Sequence, residues 1–118
     1  RNSQFHFYTI DAKNRVCPIS LKLQDMAPAA ASGWRHFVCN WQLTDDGKMK
    51  TELWLDGKKQ VERIKPFGPI KKQKFIWIGY VNGAYLNGLM DDFAIFNRPL
   101  TADEIQHINS SDKPISQL

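Results

Sequence analysis

"GLMDDFAIFNRPLTADEI", residues 88–105, carries two adjacent carboxylates inside an apolar run, just ahead of a turn and a helix-start signal. Carboxylate pairs serve metal binding and acid/base chemistry, and they also hold scaffolds together. Residues two apart in a strand share a face, so Phe93 and Ile95 pointing inward carry Asp91 with them. Asp92 then falls on the opposite face with Met90, Ala94 and Phe96. The two carboxylates are expected to diverge, which excludes a dyad. Pro99 cannot continue a ladder, and Thr101 with Glu104 three residues on makes a capping box for one short helix. Leu100 and Ile105 have the spacing of a hydrophobic staple around it.

Working outward, the periodicity is β almost throughout. "QFHFYTI" reads as a strand, "DAKN" as its turn and "RVCPISLKL" as the return, with Cys17, Ile19, Leu21 and Leu23 alternating onto one face. Pro18 has no N–H to donate and suits an edge or a bulge. "WRHFVCNWQ" is a further strand, in which the alternation is read as placing Trp34, His36 and Val38 on the core side. "LTDDGK" turns it into "MKTELWL". Asp56 and Gly57 then tolerate the positive φ of a tight type I′ hairpin leading to "KKQVERI". "KPFGPIKKQK" connects to "FIWIGY", and the loop "VNGAYLNG" leads back to the opening stretch. About seven strands and one short helix make an all-β antiparallel sandwich. The 118 residues, 42% hydrophobic, suit one domain over 1–118, with 109–118 as a tail or linker. Asn109-Ser110-Ser111 matches the short glycosylation sequon.

The order "GWRHFVCNW", "LWLDGKKQV", "IWIGY", "NGLMDDFAIFNRPLTADEI" resembles the laminin-G-like, pentraxin-like branch of the concanavalin A-like lectin/glucanase jelly rolls. The resemblance covers residues 34–108 in order, and residues 4–23 fit a preceding hairpin. It implies a β-sandwich jelly roll with one short C-terminal helix. It also implies a non-catalytic binding or adhesion module, secreted or extracytoplasmic, that recognises carbohydrate or a protein partner. Such domains are usually longer at the front, so the chain is expected to be the C-terminal portion of a larger jelly roll lacking its N-terminal strands. The rest of the sandwich would come from its own polypeptide or from another chain. The sequence opens at Arg1 rather than Met and reads as a processed product or an excised piece, so its lack of a leader carries no weight on secretion.

Candidate sites follow. Retaining glucanases of the same superfold resemble one another in placing two Glu and an Asp at alternate positions of one strand, their carboxyls about 5 Å apart. No such pattern occurs here, and Asp56 is committed to its turn. Pentraxins bind calcium partly through the loop after the Ile-Gly strand end. Here that loop offers Asn82 and Asn87 without a carboxylate, whereas calcium wants oxygens with negative charge among them. No cofactor or metal is expected, although Asp45 and Asp46 leave calcium open elsewhere. Sugar stacking nominates Trp54 and Trp77, with Tyr80, Asn82 and Tyr85 at a loop mouth. Aromatics at such positions are also ordinary core, and the resemblance implies scaffold at Trp54.

A buried carboxylate needs donors, so Asp91 is expected to meet His36 or loop N–H groups. Asp91, His36, Asp56, Gly57, Thr101 and Glu104 form the structural set. Net charge is +4, and between Lys48 and Lys74 nine Lys or Arg face three acids. Lys58, Lys59, Arg63, Lys65, Lys71, Lys72 and Lys74 are therefore either a solvated outer face or an attractor of sulfated glycans. Nucleic acid is not expected as a partner. Neither is membrane insertion, since no apolar run approaches the roughly 20 residues required. An alternative role is a structural module packed against an adjoining enzyme. Cys17 and Cys39 form no zinc pattern, and their pairing is open.

Overall fold

The structure is a computed structural model and describes residues 4–22, 33–68, 80–81, 84–85 and 89–111. Strands β1 (Gln4–Ile10) and β2 (Val16–Lys22) form an antiparallel hairpin in which Phe5 faces Leu21 and Ile10 faces Val16. On β2 the expected alternation holds: Cys17, Ile19 and Leu21 are buried between more exposed neighbours. Pro18 sits opposite Tyr8 on a strand whose one ladder partner among the described residues is β1, the setting in which a strand proline is usually found.

Asp11 closes the hairpin and has no exposed surface. Its carboxylate accepts the backbone N–H of Lys13 (3.0 Å) and Arg15 (2.8 Å), the Arg15 Nε–H (2.6 Å), and the N–H of Gly68 (3.2 Å). Burial pushes its pKa up. The hydrogen bonds from Arg15, Gly68 and Lys13 outweigh that and bring it down to about 2. A single side chain thus ties the first hairpin to the chain just beyond the fifth strand.

Strands β3 (Phe37–Leu43), β4 (Lys48–Leu55) and β5 (Lys58–Pro66) form an antiparallel meander in that order. Asp56 and Gly57 link β4 to β5 with φ of 51° and 82°, the paired positive values that a type I′ turn requires. A Cβ on Gly57 would also lie 3.1 Å from the Asn109 amide nitrogen. Two further short strands, β6 (Tyr80–Val81) and β7 (Ala84–Tyr85), pair with each other.

The first hairpin covers one face of the meander, which gives the antiparallel sandwich. Ile19 and Leu21 of β2 cluster with Leu53 and Leu55 of β4, flanked by Phe5, Phe7, Phe37, Cys39 and Val61. The Phe5 and Phe37 rings stack with centroids 4.1 Å apart. A second cluster joins Cys17, Met49 and Phe67 with Trp41 against it. The inward residues of β3 are therefore Phe37, Cys39 and Trp41, and the expected parity through His36 and Val38 is reversed. The register explains this: Asn40 faces Glu52 and Val38 faces Trp54, so the even positions share the polar row of β4.

The stretch 88–105 also departs from the expected strand. Residues 89–97 do not enter a ladder, and Leu89, Met90, Phe93, Ile95 and Phe96 are exposed. Asp92 adopts φ 52°, and its N–H donates to its neighbour's carboxylate, Asp91 Oδ1, at 2.8 Å. A local side chain–backbone bond of this kind competes with strand pairing, and a left-handed residue interrupts the period-two alternation.

Beyond Pro99 the expectation is met. Helix α1 (Ala102–Ser110) starts at Thr101, whose Oγ1 accepts the Glu104 N–H at 3.2 Å while Glu104 Oε1 accepts the Thr101 N–H at 2.9 Å. The Arg98 guanidinium grips the same carboxylate at 2.8 and 2.6 Å and, with the Thr101 N–H, holds Glu104 down to about 2. The helix begins beside β3, ends with Asn109 at the Gly57 turn, and buries Ile105 fully.

Candidate ligand-binding basin

The outer face of the meander is polar because of the alternation in "KTELWL": Met49, Thr51 and Leu53 go inward, and Lys50, Glu52 and Trp54 go outward. Where the segment leading into α1 crosses this face, a basin of about 380 Å³ opens. Gln42, Lys50, Glu52 and Lys59 line it together with Trp54 and Leu100.

Glu52 is the hub. Its Oε1 accepts from Trp54 Nε1 at 3.1 Å and from Asn40 Nδ2 at 3.4 Å, and its Oε2 lies 3.5 Å from Lys50 Nζ and 3.6 Å from Lys59 Nζ. Partial burial pushes its pKa up, but the bonds from Trp54 and Asn40 and the two ammoniums prevail and hold it below the usual carboxylate value. It stays ionised and acceptor-only.

Asn40, only 7% exposed, is spent on the scaffold. Its Oδ1 accepts the Leu100 N–H at 3.1 Å and its Nδ2 donates to the Leu100 carbonyl at 2.9 Å, so one amide satisfies both backbone groups of a residue 60 positions away. That clamp fixes the wall of the basin. The other polar groups lining the basin are the two lysines, the exposed Gln42 amide and the Glu52 carboxylate, whose Oε2 lies between the lysines.

Of the residues nominated from sequence, Trp54 and Lys59 come together here. Trp54 is 9% exposed and its N–H is bound to Glu52, so little of the ring is open for stacking. Tyr80 and Tyr85 are register partners in the β6–β7 ladder. Trp77, Asn82, Lys71, Lys72 and Lys74 lie outside the described residues. On β5, Lys58 and Lys65 are exposed, Arg63 is half-buried, and Lys59 is paired with Glu62 at 2.9 Å. Asn40, Gln42, Lys50 and Glu52 were not nominated as ligand positions. The alternation of Lys50 and Glu52 with Trp54 was the available signal, while Asn40 and Gln42 required the correct parity of β3.

The expected contact between Asp91 and His36 is replaced by another carboxylate. Asp56 Oδ1 accepts the His36 N–H at 2.9 Å, Asp56 Oδ2 accepts Arg35 Nε–H at 2.8 Å, and the Asp56 N–H returns to the His36 carbonyl at 2.8 Å. Burial lowers the His36 pKa, and the Asp56 charge offsets this in part. Asp91 is exposed and is bonded to the N–H of Asp92. Both cysteines are free thiols, Cys17 buried and Cys39 partly so, and burial pushes Cys39 up to about 12. Among the described residues no three His, Cys, Asp or Glu side chains gather as a metal cluster would. Nor is any described helix long and apolar enough to cross a membrane.

A family model described as the concanavalin A-like lectin/glucanases superfamily, of laminin-G type, matches residues 2–106. The chain belongs to that superfamily. The match takes in both hairpins, the meander and the first turns of α1, so it spans the sandwich and the basin alike. No curated protein and no solved structure matches the chain. Laminin-G-like members of the superfamily are in general binding modules for carbohydrate or protein, which is the level at which the family speaks to function.

Proposed function

We propose that this laminin-G-like chain is a non-catalytic binding module of a larger extracytoplasmic protein and that it recognises carbohydrate. The observation that carries the reading is the basin itself. An ionised acceptor (Glu52), two ammonium donors (Lys50, Lys59), an amide (Gln42) and an indole (Trp54) converge on an open concavity. A few convergent polar groups beside an aromatic are what orient a small ligand. Glu52 is held ionised by its four neighbours, which suits a hydrogen-bond acceptor better than a proton donor.

A glycan array tests this with the wild-type chain and with Gln42→Ala and Lys50→Ala, both on the outer face. Each variant is expected to weaken binding by about tenfold, the loss of one or two hydrogen bonds to the ligand. A wild-type chain that melts cooperatively yet binds no glycan would overturn the reading.

A second reading, a module that packs against other polypeptide, is favoured by the exposed apolar run. Leu89 is 83% exposed, and Met90, Phe93, Ile95 and Phe96 accompany it. Runs of this kind mark surfaces that await a cover. The cover would be the remainder of its own polypeptide or another chain completing the sandwich. In that case Phe93→Ser with Ile95→Ser abolishes the association and leaves glycan binding intact.

A further inference from the structure

Glu52 and Glu62 are cross-strand partners in β4 and β5, and like charges directly opposite each other destabilise a ladder. Two lysines relieve the pair. Lys50 Nζ lies 3.5 Å from Glu52 and 3.8 Å from Glu62, and Lys59 Nζ lies 3.6 Å from Glu52 and 2.9 Å from Glu62. Each ammonium therefore touches both carboxylates, and the four charges close into a ring with no net charge. Three of its members, Lys50, Glu52 and Lys59, line the basin, while Glu62 stands outside it.

We propose that the basin selects an uncharged, hydroxyl-rich ligand, a neutral glycan, and discriminates against sulfated or carboxylated sugars. This rests on the reading of the chain as a glycan-binding module. An anion entering the basin has to draw an ammonium away from two carboxylates and approach the ionised Glu52. A vicinal diol meets no such cost: one hydroxyl donates to the Glu52 carboxylate while its neighbour accepts from a lysine, and every ion pair stays closed. The Gln42 amide, exposed beside them, supplies a donor and an acceptor of the same neutral kind. Among the described residues, the exposed cations Lys58 and Lys65 of β5 lie outside the lining.

The test follows the Trp54 indole N–H resonance of the isotope-labelled chain during titration with maltotriose, cellotriose and chitotriose, and separately with a heparin-derived tetrasaccharide. Wild type is expected to show a saturable shift with a neutral trisaccharide, its affinity changing by less than about twofold between about 50 and 300 mM salt. The heparin fragment is expected to leave the resonance in place. Glu62→Gln, at an exposed position outside the basin, opens the ring and leaves it one positive charge. It is expected to gain a heparin-fragment shift that disappears at the higher salt. A salt-sensitive heparin shift in wild type, stronger than any neutral one, would overturn the selectivity and leave the glycan-binding reading standing. No shift with any probe would overturn both.

Discussion

Two carboxylate regions of the molecule have opposite fates. Asp91 and Asp92 sit together in an apolar stretch and are exposed, with one hydrogen bond between them from the Asp92 N–H to Asp91. Asp11 stands alone in the hydrophilic turn "DAKN" and is 0% exposed, with bonds to Lys13, Arg15 and Gly68. Apolar neighbours in sequence did not bury a carboxylate, and polar neighbours did not expose one. What decides is the supply of donors. A turn presents backbone N–H groups that no ladder claims, and a guanidinium four residues on completes the shell.

The largest expected effect tests that contrast at its buried pole. Asp11→Ala strands the N–H groups of Lys13, Arg15 and Gly68 and is expected to lower Tm by roughly 15 °C in a thermal melt. Asp11→Asn keeps the size and removes the charge, but its NH2 faces N–H donors at one end and gives up two of the bonds. It is therefore read for its pH dependence and not for its absolute Tm. In the fold the Asp11 pKa is about 2, below its ordinary 3.8, so its stabilisation is complete above about pH 4 and is lost as pH falls toward 2. Denaturation midpoints collected across that window should rise with pH in wild type and rise less in Asp11→Asn. Glu104, also held down to about 2, titrates in the same range, so Glu104→Gln is the control that separates the two contributions. Equal acid sensitivity in wild type and Asp11→Asn would mean that Asp11 is not the anchor.

The next effect concerns the wall of the basin. Asn40→Ala leaves both backbone groups of Leu100 without their side-chain partner. The expected cost is about 2–3 kcal/mol, read as a drop of roughly 10 °C in Tm. Asn40→Asp distinguishes the roles of the two amide ends. It keeps the acceptor for the Leu100 N–H, loses the donor to the Leu100 carbonyl, and places a second carboxylate against Glu52. It should therefore be at least as damaging as alanine near neutral pH. An Asn40→Asp chain as stable as wild type would remove the clamp from the account of the fold.

How far the sequence foretold these features follows from the range of the interactions. The β2 alternation, the Asp56–Gly57 turn and the Thr101–Glu104 capping box are local, each set by residues within a few positions, and each was legible. Asp11 takes one of its bonds from Gly68, 57 residues away, and Asn40 takes its pair from Leu100, 60 residues away. No periodicity encodes those meetings. The parity of β3 failed for a related reason. "WRHFVCNWQ" carries aromatics on both faces, so pattern alone could not orient it, and the cross-strand register with Glu52 and Trp54 did. The same register brings Asn40 and Gln42 to the basin, which is why the candidate site was only half visible from sequence. Lys50, Glu52 and Trp54 could be placed together, and their β3 partners could not.

The smallest expected effect lies at the exposed pole, and it is the most diagnostic. Asp91→Ala removes one local bond from a solvated segment and is expected to change stability by less than about 0.5 kcal/mol. Asp92 holds φ 52°, where a β-branched side chain is strained and glycine is not. Asp92→Gly should therefore be neutral or slightly stabilising, whereas Asp92→Val should cost about 1–2 kcal/mol. Were residues 89–97 a buried strand instead, the ranking would invert: valine would be welcome at 92, glycine would weaken the strand, and Asp91→Ala would take several degrees from Tm. Three point variants and a melting curve thus decide whether the acidic pair belongs to the core or to the surface. The left-handed turn at Asp92 is the physical reason to expect the surface.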